Sequence, residues 1–290
     1  MKFRIVSITI LCFLGILLIF MAGCVSPMPG VETTREFRAS YNVSHAKSVE
    51  VHNINGAVEI GTDAQDLAQV NATLSTLYGS SELDRVQILV SSGPVLYIDT
   101  VHPSPPARVT VNYLIRIPRT LPVSTIESTN GAIIVKGAMG TASLVTSNGP
   151  IRVEAFAGDL TSRTSNAQIL LQEVQGRVSA TTSNGAITLQ NVSSIVQAET
   201  SNGKIDADIL SAEQDITMTT SNAGVTARLA PGLDADLMIS TSNGQILLND
   251  VPVTVQQATK TELRGRIGQG GNQITITTSN ADVELMMLNG

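Results

Sequence analysis

One tetrapeptide constrains this chain more than any other feature. Thr-Ser-Asn-Gly, or a near variant, recurs with its asparagine at Asn130, Asn148, Asn166, Asn184, Asn202, Asn222, Asn243 and Asn280. The first four intervals are 18 residues each, and the next three are 20, 21 and 37. Fixed self-similarity on this scale marks a repeat architecture, in which each unit is too small to bury its own apolar face and must stack on its neighbours.

Aligned on the asparagine, the repeats reveal side-chain direction. Three residues on stand Ile133, Ile151, Ile169, Ile187, Ile205, Val225, Ile246 and Val283, and five on stand Val135, Val153, Leu171, Leu189, Ala207, Ala227, Leu248 and Leu285. A spacing of two is one face of a strand. Eight on, Phe156, Val174 and Val192 change parity, which requires a turn in between. Upstream pairs such as Val178 and Ala180, Val196 and Ala198, Ile216 and Met218, and Ile274 and Ile276 mark a second strand. Continued, that alternation puts the motif threonine and asparagine inward or at a corner.

Two short strands and two turns per unit predict an all-β fold, a single-stranded β-solenoid (β-helix) with coils of about 18 residues. Stacked at about 4.8 Å, eight coils span about 40 Å. The motif asparagines are expected to form a hydrogen-bonded ladder along one corner, with the following Gly or Ala permitting a tight turn. A core of that kind suits the composition, with 42% hydrophobic residues but only 3% aromatic and no Trp.

The charge pattern removes one function class. A net charge of -6 without a basic block lacks the positive surface that nucleic-acid phosphates require, so no nucleic-acid partner is expected.

Export is written at the N-terminus. Met1-Lys2-Phe3-Arg4 followed by a largely apolar run from Ile5 to Met21 reads as the charged and apolar regions of a signal peptide. Met21-Ala22-Gly23-Cys24 resembles a lipobox, which assigns residues 1–23 to the signal and Cys24 to lipidation. An uncleaved membrane-spanning helix and simple secretion are the alternatives. All three place the remainder outside the cytoplasm, with the membrane as a partner through an N-terminal lipid or helix. Residues 24–44 read as a tether, 45–290 as the solenoid, 45–125 as its irregular N-terminal coils and 126–290 as its regular ones.

Both cysteines, Cys12 and Cys24, lie in this leading segment, so the domain beyond it has none for disulfides or metal. Asn42, Asn71 and Asn191 open glycosylation sequons, usable in a glycosylating exporter.

Val111-Asn112-Tyr113-Leu114-Ile115-Arg116-Ile117-Pro118 and the serial Thr-Ser-Asn-Gly-x-Ile-x-Val units after it resemble the "putative adhesin" family of bacterial and archaeal surface domains, related to auto-transporter adhesin heads. Asn53-Ile54-Asn55-Gly56 fits an opening coil, so the resemblance runs from about residue 45 to 290. It implies a right-handed β-helix on a surface-exposed protein, with no catalytic residues to carry over. The 37-residue interval before Asn280, containing Arg264–Gly271, departs from it as an insertion loop or a degenerate coil.

The remaining chemistry is sparse. His45, His52 and His102 precede the repeats and do not form a zinc-site spacing, and no nucleophile elbow or phosphate loop occurs. Asp206 and Asp208 share an outward face and are the weak candidates for Ca²⁺ or for carbohydrate chemistry, with Asp234 and Asp236 as a second pair. Lys204 is their one basic neighbour in the same coil. Outward threonines are too irregular for an ice-binding lattice. The reading is a non-enzymatic surface display, adhesion or envelope protein without a cofactor, partnered by a cell-surface glycan or an envelope protein. The alternative is a carbohydrate-binding or carbohydrate-cleaving β-helix using the outward aspartates.

Overall fold

The structure, a computed structural model, describes residues 30–288. Segments rich in Val, Ile and Thr with period-two alternation become strands, and the described residues form one continuous 23-stranded sheet with a single helical turn. The N-terminal part comprises β1 (Thr33–Asn42), β2 (Ser48–His52), β3 (Val58–Asp63), β4 (Leu67–Thr76), α1 (Ser80–Leu83), β5 (Gln87–Ser92), β6 (Val95–Val101) and β7 (Thr110–Pro118). The regular repeats supply β8 (Val123–Ser128), β9 (Ile133–Lys136), β10 (Ala142–Thr146), β11 (Ile151–Ala157), β12 (Leu160–Arg163), β13 (Ile169–Thr181), β14 (Ile187–Glu199), β15 (Ile205–Ile209), β16 (Ile216–Thr219) and β17 (Val225–Leu229). The C-terminal part adds β18 (Ala235–Thr241), β19 (Ile246–Asn249), β20 (Val253–Ala258), β21 (Glu262–Ile267), β22 (Gln273–Thr278) and β23 (Val283–Met287).

Through the middle of the chain each strand pairs in parallel with its equivalent in the next repeat. Ile133, Ile151, Ile169, Ile187, Ile205 and Val225 lie in one register column, and all are buried. Strands before the asparagine form the second column, from β2 through β8, β10, β12, β13 and β14 to β16. Inward side chains of the two columns meet in one continuous core. In five coils the parity change is made by a left-handed residue, Gly137, Ala155, Glu173, Asn191 or Asp250, with φ between 52° and 64°.

At both ends the stacking order departs from chain order. The C-terminal coil, β22 and β23, lies between the coil of β16 and β17 and the coil of β18 and β19. The N-terminal coil, β2 and β3, likewise lies between β6 and β7 on one side and β8 and β9 on the other. Antiparallel strands finish the stack, with β4 on β7, β1 on β4, β5 on β6, β21 on β18 and β20 on β21. Terminal repeats of a quasi-one-dimensional stack fray most easily, so tucking these coils inward gives each of them pairing partners on both sides.

Four sequence expectations change. Residues 33–42 of the expected tether are β1, because Phe37, Ala39 and Tyr41 alternate against polar and charged neighbours and the strand pairs with β4 over its whole length. The 37-residue interval holds the β20–β21 hairpin, which extends the sheet antiparallel from β18. Val196 faces outward, since a register shift puts Ile195 opposite Val178 and buries it instead. Ile246 and Leu248 of the apolar columns are only partly covered, because β19 ends its column.

Near the N-terminal end, Tyr113 is buried and its hydroxyl lies 2.6 Å from Thr100 Oγ1, joining β6 to β7. Burial pushes the phenol up to about 12, against the opposing pull of the Thr100 hydrogen bond. Between about pH 10, where an unfolded tyrosine ionises, and pH 12 the native state therefore holds the extra proton, and stability falls as pH rises. Tyr113→Phe should flatten the alkaline slope by up to about 2–3 kcal/mol, measured as urea midpoints between those pH values.

Candidate functional site

The Thr-Ser-Asn-Gly corner is built the same way in coil after coil. Ser165 and Asn166 both donate their N–H to the Ser147 carbonyl, and Ser183 and Asn184 both donate to that of Ser165. This brings successive asparagines over one another. The Nδ2 of Asn130 donates to Asn55 Oδ1, and Asn148, Asn166, Asn184, Asn202 and Asn222 each donate to the one before, at 2.6 to 2.8 Å. The row then follows space rather than sequence. Asn280 donates to Asn222, and Asn243 donates to Asn280, both at 2.8 Å. Asn55 is a ninth member that spacing alone did not mark, because 75 residues separate it from Asn130.

Thr and Asn do not share a direction. The threonines at 146, 164, 182, 200, 220, 241 and 278 are buried, while the motif asparagines are exposed. The chain reverses within Ser-Asn, which ends the strand alternation one residue too early for the asparagine to face inward. Each buried hydroxyl donates to the corner carbonyl of the neighbouring coil, as Thr146 does to Gly131, Thr200 to Gly185 and Thr278 to Ala223, at 2.9 to 3.1 Å. Where glycine follows the asparagine, as at Gly149, Gly185, Gly203 and Gly244, the hydroxyl also accepts that residue's N–H. A Cβ at these glycines would run into the neighbouring coil's corner carbonyl. Ala167, Ala223 and Ala281 stand at the same position and are partly exposed.

Asp206 and Asp208 share the outward face of β15, but they do not stand free. Arg228, at the equivalent of Asp208 in the next coil, bonds Asp208 Oδ1 through Nε at 2.6 Å and Asp206 Oδ1 through Nη2. Lys204 Nζ adds a contact to Asp206 at 3.6 Å. Burial opposes the Arg228 charge, yet the two carboxylates outweigh it and raise its pKa. The guanidinium thus fills the position a cation would take. Asp234 and Asp236 do not form a pair of this kind. Asp234 caps the Gln269 N–H at 2.8 Å and Asp236 meets Arg266 at 3.1 Å. Among the described residues no cluster of three His, Cys, Asp or Glu could hold a metal ion.

His45 is exposed, and His102, between β6 and β7, has its pKa lowered by burial. His52 meets Glu127 at 3.1 Å and packs against Tyr97 with the rings tilted by 41° and their centroids 5.2 Å apart. The order β6, β2, β8 assembles this group, and chain order hides it. Cys24 lies outside the described residues. Of the sequon asparagines, Asn42 ends β1 and accepts the Ser44 N–H, Asn71 is half-buried in β4, and Asn191 occupies a left-handed corner at φ 52°. Asn71 also lines a shallow depression of about 230 Å³ on the outer face of β1, β4 and β7, together with Glu36, Arg38, Asn112 and Leu114. Among the described residues no helix is long and apolar enough to cross a membrane.

Residues 39–286 match the family described as Toastrack DUF4097. The chain belongs to that family. Its architecture is similar to that of the "putative lipid binding protein" from Parabacteroides distasonis, at 11% identity and a TM-score of 0.51 over 88% of this chain and 97% of that one. At that identity the likeness speaks for the Toastrack fold alone. Weaker likenesses reach a "putative cell adhesion protein" from Clostridium sporogenes (9% identity, TM-score 0.26, 88% of this chain and 100% of that one) and a "putative adhesin" from Bacteroides fragilis (11%, 0.34, 87% and 97%). No curated protein matches this Toastrack chain.

Gly203→Ala should cost about 1–3 kcal/mol in urea unfolding, whereas Ala167→Gly should cost under about 1 kcal/mol. Arg228→Ala leaves two adjacent carboxylates without their cation. It should lower stability by about 1–3 kcal/mol, and millimolar Ca²⁺ should raise the melting temperature of this variant but not of the parent.

Proposed function

We propose that this chain is a non-enzymatic, membrane-anchored, extracytoplasmic scaffold for surface display, adhesion or envelope structure. Its fold type in this reading is a single-stranded β-solenoid, right-handed as the family resemblance implies. The observation that carries the reading is the use of Asp206 and Asp208 as an inter-coil ion pair with Arg228. A carbohydrate-cleaving site needs a carboxylate free to protonate the leaving group and a second one free to attack or activate water. Both members of the pair singled out by sequence are instead committed to joining β15 to β17. Several other outer charges are similarly spent, with Lys136 on Glu59, Arg152 on Glu154 and Arg177 on Asp159, whose carboxyl it holds below the usual range.

The Toastrack family and its adhesin-named structural neighbours agree with a surface role. The charged and apolar start of the chain, ending at Cys24, supports anchoring by a lipid or a helix. A cell-surface glycan or an envelope protein is the expected partner, with no cofactor and no nucleic acid.

Glycan-array binding run beside an assay for new reducing ends on envelope polysaccharides tests the reading. Binding without turnover is the expected outcome. Turnover that disappears in Asp206→Ala/Asp208→Ala would establish the carbohydrate-cleaving alternative. Loss of lipid labelling in Cys24→Ser identifies the lipid anchor, and membrane retention of an unlabelled parent identifies the helix.

A further inference from the structure

The stack ends in four strands with one free edge each among the described residues, and these edges are unlike. β19 has four residues, β5 has six, and β20 has six with a register shift between Val255 and Gln257. β1 has ten, paired to β4 from Thr33 opposite Thr76 to Asn42 opposite Leu67 without a break. Free edges of soluble proteins are commonly blunted by proline, bulges, short length or charged side chains; β1 has none of the first three, and of its charges the inner-row Arg35 is taken up by the Leu83 carbonyl and Asp84, which leaves Glu36 and Arg38. Its inner row is also incompletely covered. Phe37, Ala72 and Tyr113 form one cross-strand row, and only Phe37 of the three is not fully buried. The core layer stops open at β1.

We propose that β1 is a dimer interface, pairing antiparallel with β1 of a second copy about a two-fold axis at Phe37. The strand is complementary to itself in that register and in no neighbouring one. Centred on Phe37, it sets Glu36 against the second copy's Arg38, Arg38 against its Glu36, Thr34 against its Ser40 and Thr33 against its Tyr41. Sliding by two residues one way opposes Glu36 to Glu36, and sliding the other way opposes Arg38 to Arg38. Like charges directly opposite are destabilising, whereas opposite charges and aromatic pairs are favourable. Slips of odd length would turn the inner row outward.

The side chains are in place for this exchange. Glu36 and Arg38 pair within the strand at 2.6 Å and remain 59% and 71% exposed, so both are free to turn to a partner. Under the inner face, Arg35 bonds the Leu83 carbonyl at 3.2 Å and meets Asp84, which anchors α1 beneath that end of the strand. The two-fold places Arg35 opposite the second copy's Ala39, so α1 comes beside Ala39 and Tyr41 of that copy, two residues the monomer leaves half-buried.

Sedimentation of the detergent-solubilised full chain tests this, with thermal melts by circular dichroism to establish folding. A dimer is expected at about 100 μM, a concentration well above the Kd of a specific protein interface. Glu36→Arg and Arg38→Glu should each weaken it about tenfold or more, and the double variant, which exchanges the charges, should restore it. In the register, Phe37→Cys should form an intermolecular disulfide under oxidation while Ser40→Cys should not, with the parent as control for Cys12 and Cys24. A monomeric parent, a dimer indifferent to both charge reversals, failure of the double variant to recover, or crosslinking through Ser40→Cys instead would each overturn the proposal. If Phe37→Cys does not fold, the charge variants decide.

Discussion

The hydrogen-bonded corner is the interaction on which the rest of the molecule depends. A parallel stack can slip by two residues without changing which side chains face the core, so apolar alternation alone does not fix coil against coil. The corner removes that freedom, because each asparagine amide must lie against the amide before it and each threonine hydroxyl against one particular carbonyl. The two rows do different work. Exposed amides gain only a modest net energy, about 1 kcal/mol each, although aligned dipoles in a chain reinforce one another. The buried threonines bear more heavily, since without them a buried corner carbonyl loses a partner in a place water does not reach.

That same corner lets the chain depart from its own order. Because Asn280 and Asn243 offer the same donor and acceptor, the coil of β22 and β23 fits between Asn222 and Asn243 as well as it would beyond them. The β20–β21 hairpin decides the outcome by occupying the outer edge of β18, so the returning chain pairs on the inner side. Pairings such as Ile216 with Ile274 span far more sequence than the 18-residue steps of the middle coils. Loop-closure entropy makes such contacts slow to form, which places insertion of the end coils late in folding.

How much of this was legible follows from what a repeat can and cannot encode. Ile169, Leu171 and Val174 announced the strand face and a turn between Leu171 and Val174, since a parity change needs one; that the turn is a left-handed residue at Glu173 is seen in the structure. Aligning on the asparagine also suffices to find the Arg228 ion pair, because Asp208 and Arg228 stand at the same position, six after Asn202 and Asn222. Reading each coil by itself, with Lys204 as the only base, missed it. Spatial order was not legible, for identical corners carry no label saying which neighbour they will meet. β1 was hidden for the opposite reason. Its alternation covers a single strand, outside any repeat, with polar or charged residues at every outward position that resemble a solvated linker.

These features together locate where recognition can occur. On the faces of the middle coils, backbone donors and acceptors are consumed by the coils above and below, and several of the charged side chains are consumed by neighbours, as with Arg177 on Asp159. A partner meeting such a face must compete with bonds already made. At the stack ends the strands have partners on one side only, and the inner row is open beside Phe37 and Tyr41. Pairing there adds backbone hydrogen bonds without breaking any and covers apolar surface that the monomer leaves wet. The regular coils therefore serve to hold two unlike ends a fixed distance apart, and it is at those ends, β1 above all, that the molecule has unspent capacity to bind.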